Sequence, residues 1–201
     1  MKVAIIDSGI HAEHPHVMRV AGGIAITADG VAEDWYDRLG HGTAVAGAIR
    51  EKAPDAELYA VKVFDRRLSA NIEVLIRALE WCIGNRMDLI NLSLGTANEA
   101  HRPRFEAVLA AAPPVVCAAN LLPGTLPGAI AVAPDESCTR EQYRYADGVF
   151  YASPYPRSIP GVPVERNLHG ASFAVANLTG FAALLSPDNL RARLIAAASS
   201  P

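Results

Sequence analysis

At 201 residues, with 51% hydrophobic and 19% charged side chains, the chain is long enough to bury a full core between helices and a sheet, and one domain over 1–201 is expected. A formal net charge of -3 and a pI near 6.1 speak against a nucleic-acid partner and against an anionic membrane surface. Three cysteines without close spacing, Cys82, Cys117 and Cys138, suit reduced core thiols in a cytoplasmic protein, and no CxxC or HExxH pattern supports a metal site.

In chain order, an apolar run near 3–7 predicts a strand that stops at Asp7, too short for a secretory signal, so no export signal is expected. A strand near 19–26, a helix over 42–52, a strand near 57–64 and a helix over 71–84 follow. Then come a strand at 88–93, a helix over 103–112 and strands at 115–119 and 129–133. A strand near 148–152 and helices over 172–185 and 188–198 close the chain. The most apolar stretch, Ala107 to Leu122, is broken by Pro113 and Pro114 and holds Asn120, so it reads as helix, turn and strand, not as a membrane span. There is no internal repeat or linker. The alternation predicts an α/β fold: a doubly wound, mostly parallel sheet with helices on both faces, in three layers. Val3-Ala-Ile-Ile, Leu89-Ile-Asn-Leu and Val115-Val-Cys-Ala-Ala are almost continuously apolar, as central parallel strands are, and the functional crevice of such a sheet lies beyond their carboxyl ends.

Polar residues stand at those ends. Asp7 closes Val3-Ala-Ile-Ile-Asp7-Ser-Gly9, His41 opens Gly40-His41-Gly-Thr-Ala-Val-Ala-Gly47, and Ser172 opens a helix in His169-Gly-Ala-Ser172-Phe-Ala. Asn120 follows the run that begins at Val115. A serine hydroxyl is a weak nucleophile at neutral pH. It needs an imidazole as base, which in turn needs a carboxylate to hold its tautomer and stabilise the imidazolium. Asp7, His41 and Ser172 can fill those roles, and Asn120 can donate to an oxyanion. Singly, each has a plainer reading: a strand-end turn for Asp7 and Asn120, a loop histidine for His41, a helix N-cap for Ser172. Their co-occurrence beside glycines and small residues favours the chemical reading.

These segments, in this order, resemble those of the subtilisin-like serine peptidases, the subtilases. The likeness extends over most of the chain, because Leu58-Tyr-Ala-Val-Lys-Val63 and Asn91-Leu-Ser-Leu-Gly95 also fall in place. It implies Asp7 as orienter, His41 as general base and acid, Ser172 as nucleophile, and Asn120 with the Ser172 N–H as oxyanion hole. It further implies that a peptide or protein substrate lies along Ser93, Leu94 and Gly95, that Leu39 lines the pocket for the residue before the cleaved one, and that Ala118 and Ala119 form part of the primary pocket wall. No metal or organic cofactor is expected in the reaction.

Several positions depart from the family pattern. Ala171 stands where a threonine is usual, Ala119 where a glycine is usual, and Ala44, Ala176 and Asn177 replace His, Pro and His. Between Gly47 and Leu58 there is no room for the loop that binds calcium in many relatives, so no calcium is expected there. The segment Leu121-Leu-Pro-Gly-Thr-Leu-Pro-Gly128 is short, which implies a shallow primary pocket or one completed by a partner chain or a second copy. No pro-segment is expected ahead of the first strand. A peptidase without a built-in inhibitor is expected to have narrow specificity, processing a peptide or protein precursor, with Arg66 and Arg67 available to read acidic residues. The other readings are a general degradative intracellular peptidase and a pseudo-peptidase that binds peptides without useful turnover.

Overall fold

A computed structural model describes residues 1–64 and 70–199. Its strands are β1 (Lys2–Asp7), β2 (Gly22–Thr27), β3 (Gly30–Ala32), β4 (Glu57–Lys62), β5 (Leu89–Leu92), β6 (Val115–Ala118), β7 (Ile130–Pro134), β8 (Tyr143–Ala146) and β9 (Val149–Ala152). The helices are α1 (His41–Lys52), α2 (Ile72–Gly84), α3 (Arg102–Leu109), α4 (Ala171–Ala182) and α5 (Leu190–Ala197). One sheet runs in the order β3-β2-β4-β1-β5-β6-β7-β9-β8. Its interior is parallel, and only the outer pairs β2/β3 and β8/β9 are antiparallel. The expected doubly wound, mostly parallel α/β sheet is therefore present.

Two short edge strands, β3 and β8, lie outside the sequence expectation. Each belongs to a hairpin with a two-residue connection, and at the β8/β9 turn both Asp147 (φ 50) and Gly148 (φ 84) have positive φ. That is the Asp-Gly turn whose twist matches the flanking strands, a signal present in the sequence. Elsewhere the elements are shifted by a few residues at their ends, as helix fraying and generous strand pairing produce.

Side-chain alternation along β1 divides the core. Val3 and Ile5 face one layer with Val45, Ile49, Phe173 and Leu178 of α1 and α4, while Ala4 and Ile6 face Leu75, Leu79 and Phe105 of α2 and α3. α4, which has no charged residue, is buried from Phe173 to Gly180, the expected central helix. All three cysteines are free and buried. Among the described residues no helix is long and apolar enough to cross a membrane.

Where α1 meets α4, Lys52 is buried, with its Nζ donating to Asn177 Oδ1 at 2.6 Å and lying 5.4 Å from the Phe181 ring centroid. Asn177, fully buried, donates onward to the Ser153 and Tyr155 carbonyls at 2.9 Å. Burial pushes the Lys52 ammonium down to about 8, against the opposing charge of Glu51. Between about pH 8 and the ordinary lysine value the unfolded chain holds a proton that the native state has released, so stability rises with pH across that window. Urea unfolding at pH 7.5 and pH 10 should show a gain of roughly 2 kcal/mol from this group. Lys52→Met should abolish that gain.

Candidate active site

The carboxyl end of β1 delivers Asp7, fully buried, into the crevice. α1 begins opposite it, and its second residue must be glycine: a Cβ on Gly42 would lie 2.2 Å from the Gly9 carbonyl oxygen and 3.2 Å from Asp7 Cβ. That close approach sets His41 Nδ1 at 2.7 Å from Asp7 Oδ1, which also accepts the Ser8 N–H at 2.7 Å. Asp7 Oδ2 is buried and has no hydrogen-bond partner among the described residues, so the charge of Asp7 is answered chiefly by the imidazole. Burial is the largest influence on His41 and opposes its protonation. The hydrogen bond and charge of Asp7, with the charge of Asp37, outweigh it and raise the pKa above 6.5. If His41 acts as a base, kcat/KM should therefore fall on the acid side with an apparent pKa above that of an ordinary histidine, which a pH profile checks. Protonated His41 also favours the fold: its contribution is complete below pH ~6.5 and is lost as pH rises through the raised native value.

Asp37 organises the loop that carries His41, and the sequence reading did not single it out. It is 5% exposed. Its Oδ1 accepts from Ser8 Oγ, Leu39 N and Gly40 N, each at 2.9 Å, and its Oδ2 accepts from Thr43 N at 2.9 Å and Thr43 Oγ1 at 2.6 Å. Ser8 Oγ in turn accepts the Gly42 N–H at 2.9 Å, tying the loop back to β1. The signal available in the sequence was an Asp two and three residues before free amides in a turn ending at Gly40. Asp37→Asn places an N–H donor against Thr43 donors, so it should cost on the order of 3 kcal/mol in chemical unfolding.

Ser172 is the second residue of α4 and is half-buried. Its N–H is among the first-turn amides that a helix leaves without an intrahelical acceptor. α4 is held over β5 by Thr179 Oγ1, which donates to Asn91 Oδ1 at 3.0 Å, while Asn91 Nδ2 donates to Ser93 Oγ at 2.8 Å. The Phe173 and His41 rings meet at 5.5 Å between centroids, bringing the starts of α1 and α4 together. The Ser172 hydroxyl donates to the Ser93 carbonyl at 3.2 Å and makes no hydrogen bond to His41. Asn120 lies exposed in the turn after β6, and its side chain makes no bond among the described residues.

Of the residues expected to contact substrate, Leu39 is 38% exposed two positions before His41. Ser93, Leu94 and Gly95 are partly exposed just past β5, and Leu94 and Gly95 border a cavity of about 380 Å³ lined also by Phe64, Ile72 and Leu75. Gly95 is required for an internal reason: a Cβ there would meet the Leu122 carbonyl oxygen at 2.4 Å, because Thr96 and Leu122 bridge in antiparallel fashion. Ala118 is buried and Ala119 partly so. The Leu121–Gly128 segment turns inward, with Leu122 and Leu126 in the core. His169 is exposed three residues before Ser172 and bonds to Glu136 at 2.6 Å. Arg66 and Arg67 lie outside the described residues.

The fold and this edge define a doubly wound α/β protein that gathers a buried carboxylate, an imidazole and a helix-borne serine beyond its strands. Residues 1–135 match the Subtilase family. The chain is 33% identical over 205 residues to subtilisin E of Bacillus subtilis (strain 168), covering 90% of this chain and 52% of that protein. It is 33% identical over 212 residues to the thermostable alkaline protease of Halalkalibacterium halodurans, covering 92% and 56%. The crystal structure of a cold adapted subtilisin-like serine proteinase shares the fold, with a TM-score of 0.75 at 20% identity over 97% of this chain and 81% of that one. The chain belongs to the subtilase family, and it spans about half the length of subtilisin E and the alkaline protease.

The stretch Gly47–Leu58 runs as uninterrupted helix to Lys52 and then turns directly into β4. The charged side chains packed inward at that end are the cations Arg50 and Lys52, and Arg50 occupies the surrounding carbonyls of Val17, Arg19, Pro54 and Ala56, so these residues do not fit a calcium ion.

Proposed function

We propose that this chain is a serine endopeptidase that hydrolyses peptide bonds through an acyl-enzyme, with Asp7, His41 and Ser172 as triad. The observation that carries the reading is the buried 2.7 Å Asp7–His41 pair beside the helix that bears Ser172. A peptide laid along Ser93–Gly95 brings a backbone N–H to the Ser93 carbonyl and frees the Ser172 hydroxyl to turn to His41. Ser172 Oγ attacks the carbonyl carbon as His41 takes its proton, and Asn120 with the Ser172 N–H donates to the oxyanion. His41 then returns the proton to the leaving amine, and water releases the acyl group by the same path. Leu39, Ala118 and Ala119 line the neighbouring subsites.

The substrate we infer is a peptide or protein precursor cut at few sites. Leu122 and Leu126 draw the post-Asn120 segment into the core, which supports a primary pocket of limited depth or one completed by a second chain. Burial raises the thiols of Cys82 and Cys117, the latter to about 12, which suits the reducing cytoplasm we propose as its location. Rapid cutting of casein at many sites would instead make it a general degradative peptidase. The bond from Ser172 to Ser93 favours one other reading, a peptide-binding module with a resting serine. A fluorophosphonate decides between enzyme and module: labelling of wild type but not of Ser172→Ala, read by intact mass, is expected, and an unlabelled folded wild type overturns the peptidase reading.

A further inference from the structure

General-acid chemistry places the leaving amine on the His41 side of the site, away from Ser93–Gly95, so whatever lies beyond His41 meets the residues that follow the cut bond. A cavity of about 260 Å³ opens there. Gly40 and Ala44 border it from around His41, and Leu168 borders it from just ahead of Ser172. Of the titratable side chains in the rest of the wall, four are basic, His11, His14, His16 and Arg157, and one is acidic, Asp37.

The charges do not cancel. Arg157 Nε lies 3.8 Å from Glu51, but Glu51 is already held through both oxygens by Arg140 at 2.8 and 3.0 Å and has Lys52 Nζ at 3.6 Å. One carboxylate thus serves three cations. The surplus is felt at His16, whose pKa is lowered first by burial and then by Arg157 and His14, with Arg140 adding to them against Glu51. Asp37, the acidic residue of the wall, is buried with its oxygens committed to the loop amides and hydroxyls described above. At the rim the chain already sets a carboxylate on this cluster: Glu13, 84% exposed, lies 3.2 Å from His11 Nε2. An exposed pair of that kind is worth little and is readily displaced. Among the described residues no group of His, Cys, Asp or Glu is arranged to hold a metal ion.

We propose that this cavity is an acid-binding subsite, seating an Asp or Glu side chain of the substrate on the carboxyl-terminal side of the scissile bond. The placement on the substrate rests on the peptidase reading, whereas the selectivity for acid rests on the cavity alone. It narrows the precursor class to peptides with an acidic residue shortly after the cut.

Binding without turnover tests it. In Ser172→Ala, histidine ring resonances are followed by NMR at pH 6 while acetyl-Ala-Asp-Ala-amide or acetyl-Ala-Lys-Ala-amide is added at matched ionic strength. Saturable shifts of His11, His14 and His16 are expected with the aspartyl peptide, with binding at least about fivefold tighter than for the lysyl peptide. Arg157→Gln in the same background should remove that difference. His14→Gln should reduce it, and serves should Arg157→Gln fail to fold. Absent binding, equal affinity for the two peptides, or shifts confined to His101 and His169 overturns the proposal. Fluorophosphonate labelling of wild type is scored separately. Acid-selective binding without labelling removes the peptidase reading and keeps the subsite, while labelling without acid preference removes the subsite alone.

Discussion

His41→Ala is expected to slow peptide hydrolysis roughly 10⁴- to 10⁶-fold, a range borrowed from triad deletions in a subtilisin and a convergent protease. Without the imidazole, the Ser172 proton has no acceptor, and the Ser93 carbonyl already bonded to the hydroxyl is far too weak a base to replace it. Fluorophosphonate labelling should fall with hydrolysis. His41 is the first residue of α1 and its ring bonds to Asp7, so removal of the ring leaves the helix and its glycine contacts in place. The loss should therefore be in kcat at an unchanged far-UV circular dichroism spectrum. Asp7→Asn provides a graded companion. It keeps the shape, removes the charge that raises the His41 pKa, and should shift the acid limb of any residual pH profile downward. A variant of His41 that retained near-wild-type turnover would end the triad assignment.

The second large effect is expected at Asn120. Asn120→Ala should lower kcat by roughly two to three orders of magnitude with KM little changed, a magnitude again borrowed from a subtilisin. The physical ground is that the side-chain amide is exposed in the turn after β6 and bonds to nothing among the described residues, so its removal breaks no hydrogen bond of the fold. Its donors are free for charge that develops only in the transition state. Equal falls in kcat and melting temperature would instead mark it as a turn former. The Ser172 N–H, unclaimed at the start of α4, is the second donor and persists in the variant, which is why turnover should fall without vanishing.

The two predictions draw on different levels of information. Local sequence was sufficient for the strands of the parallel core, because Val3–Ile6, Leu89–Leu92 and Val115–Ala118 are apolar but for Asn91 and lead to polar residues. It was also sufficient to nominate Asp7, His41, Ser172 and Asn120, since they stand at the ends of elements in segments rich in glycine and other small residues, in an order that resembles that of the subtilases. The Asp147-Gly148 hairpin was legible too, although its strand β8 is short and half-exposed and so carries little periodicity.

What the chain's order of residues determined by itself is the class of sheet, its winding and the inventory of reactive groups, because period and composition act over a few neighbours. Tertiary structure alone decided which groups meet. Asp7 and His41 are 34 residues apart and pair only because Gly42 lets α1 close on Gly9. Asp37 became a hub when Ser8, from the end of β1, joined the local donors of Gly40 and Thr43, and that remote contact no local pattern encodes. Gly95 proved to be demanded by Leu122 across a loop. The basic wall beside His41 arose from histidines near the start of the chain and Arg157 near its end. Long-range steric and electrostatic complementarity is a property of packed surfaces, and packing is fixed only when the whole chain has folded.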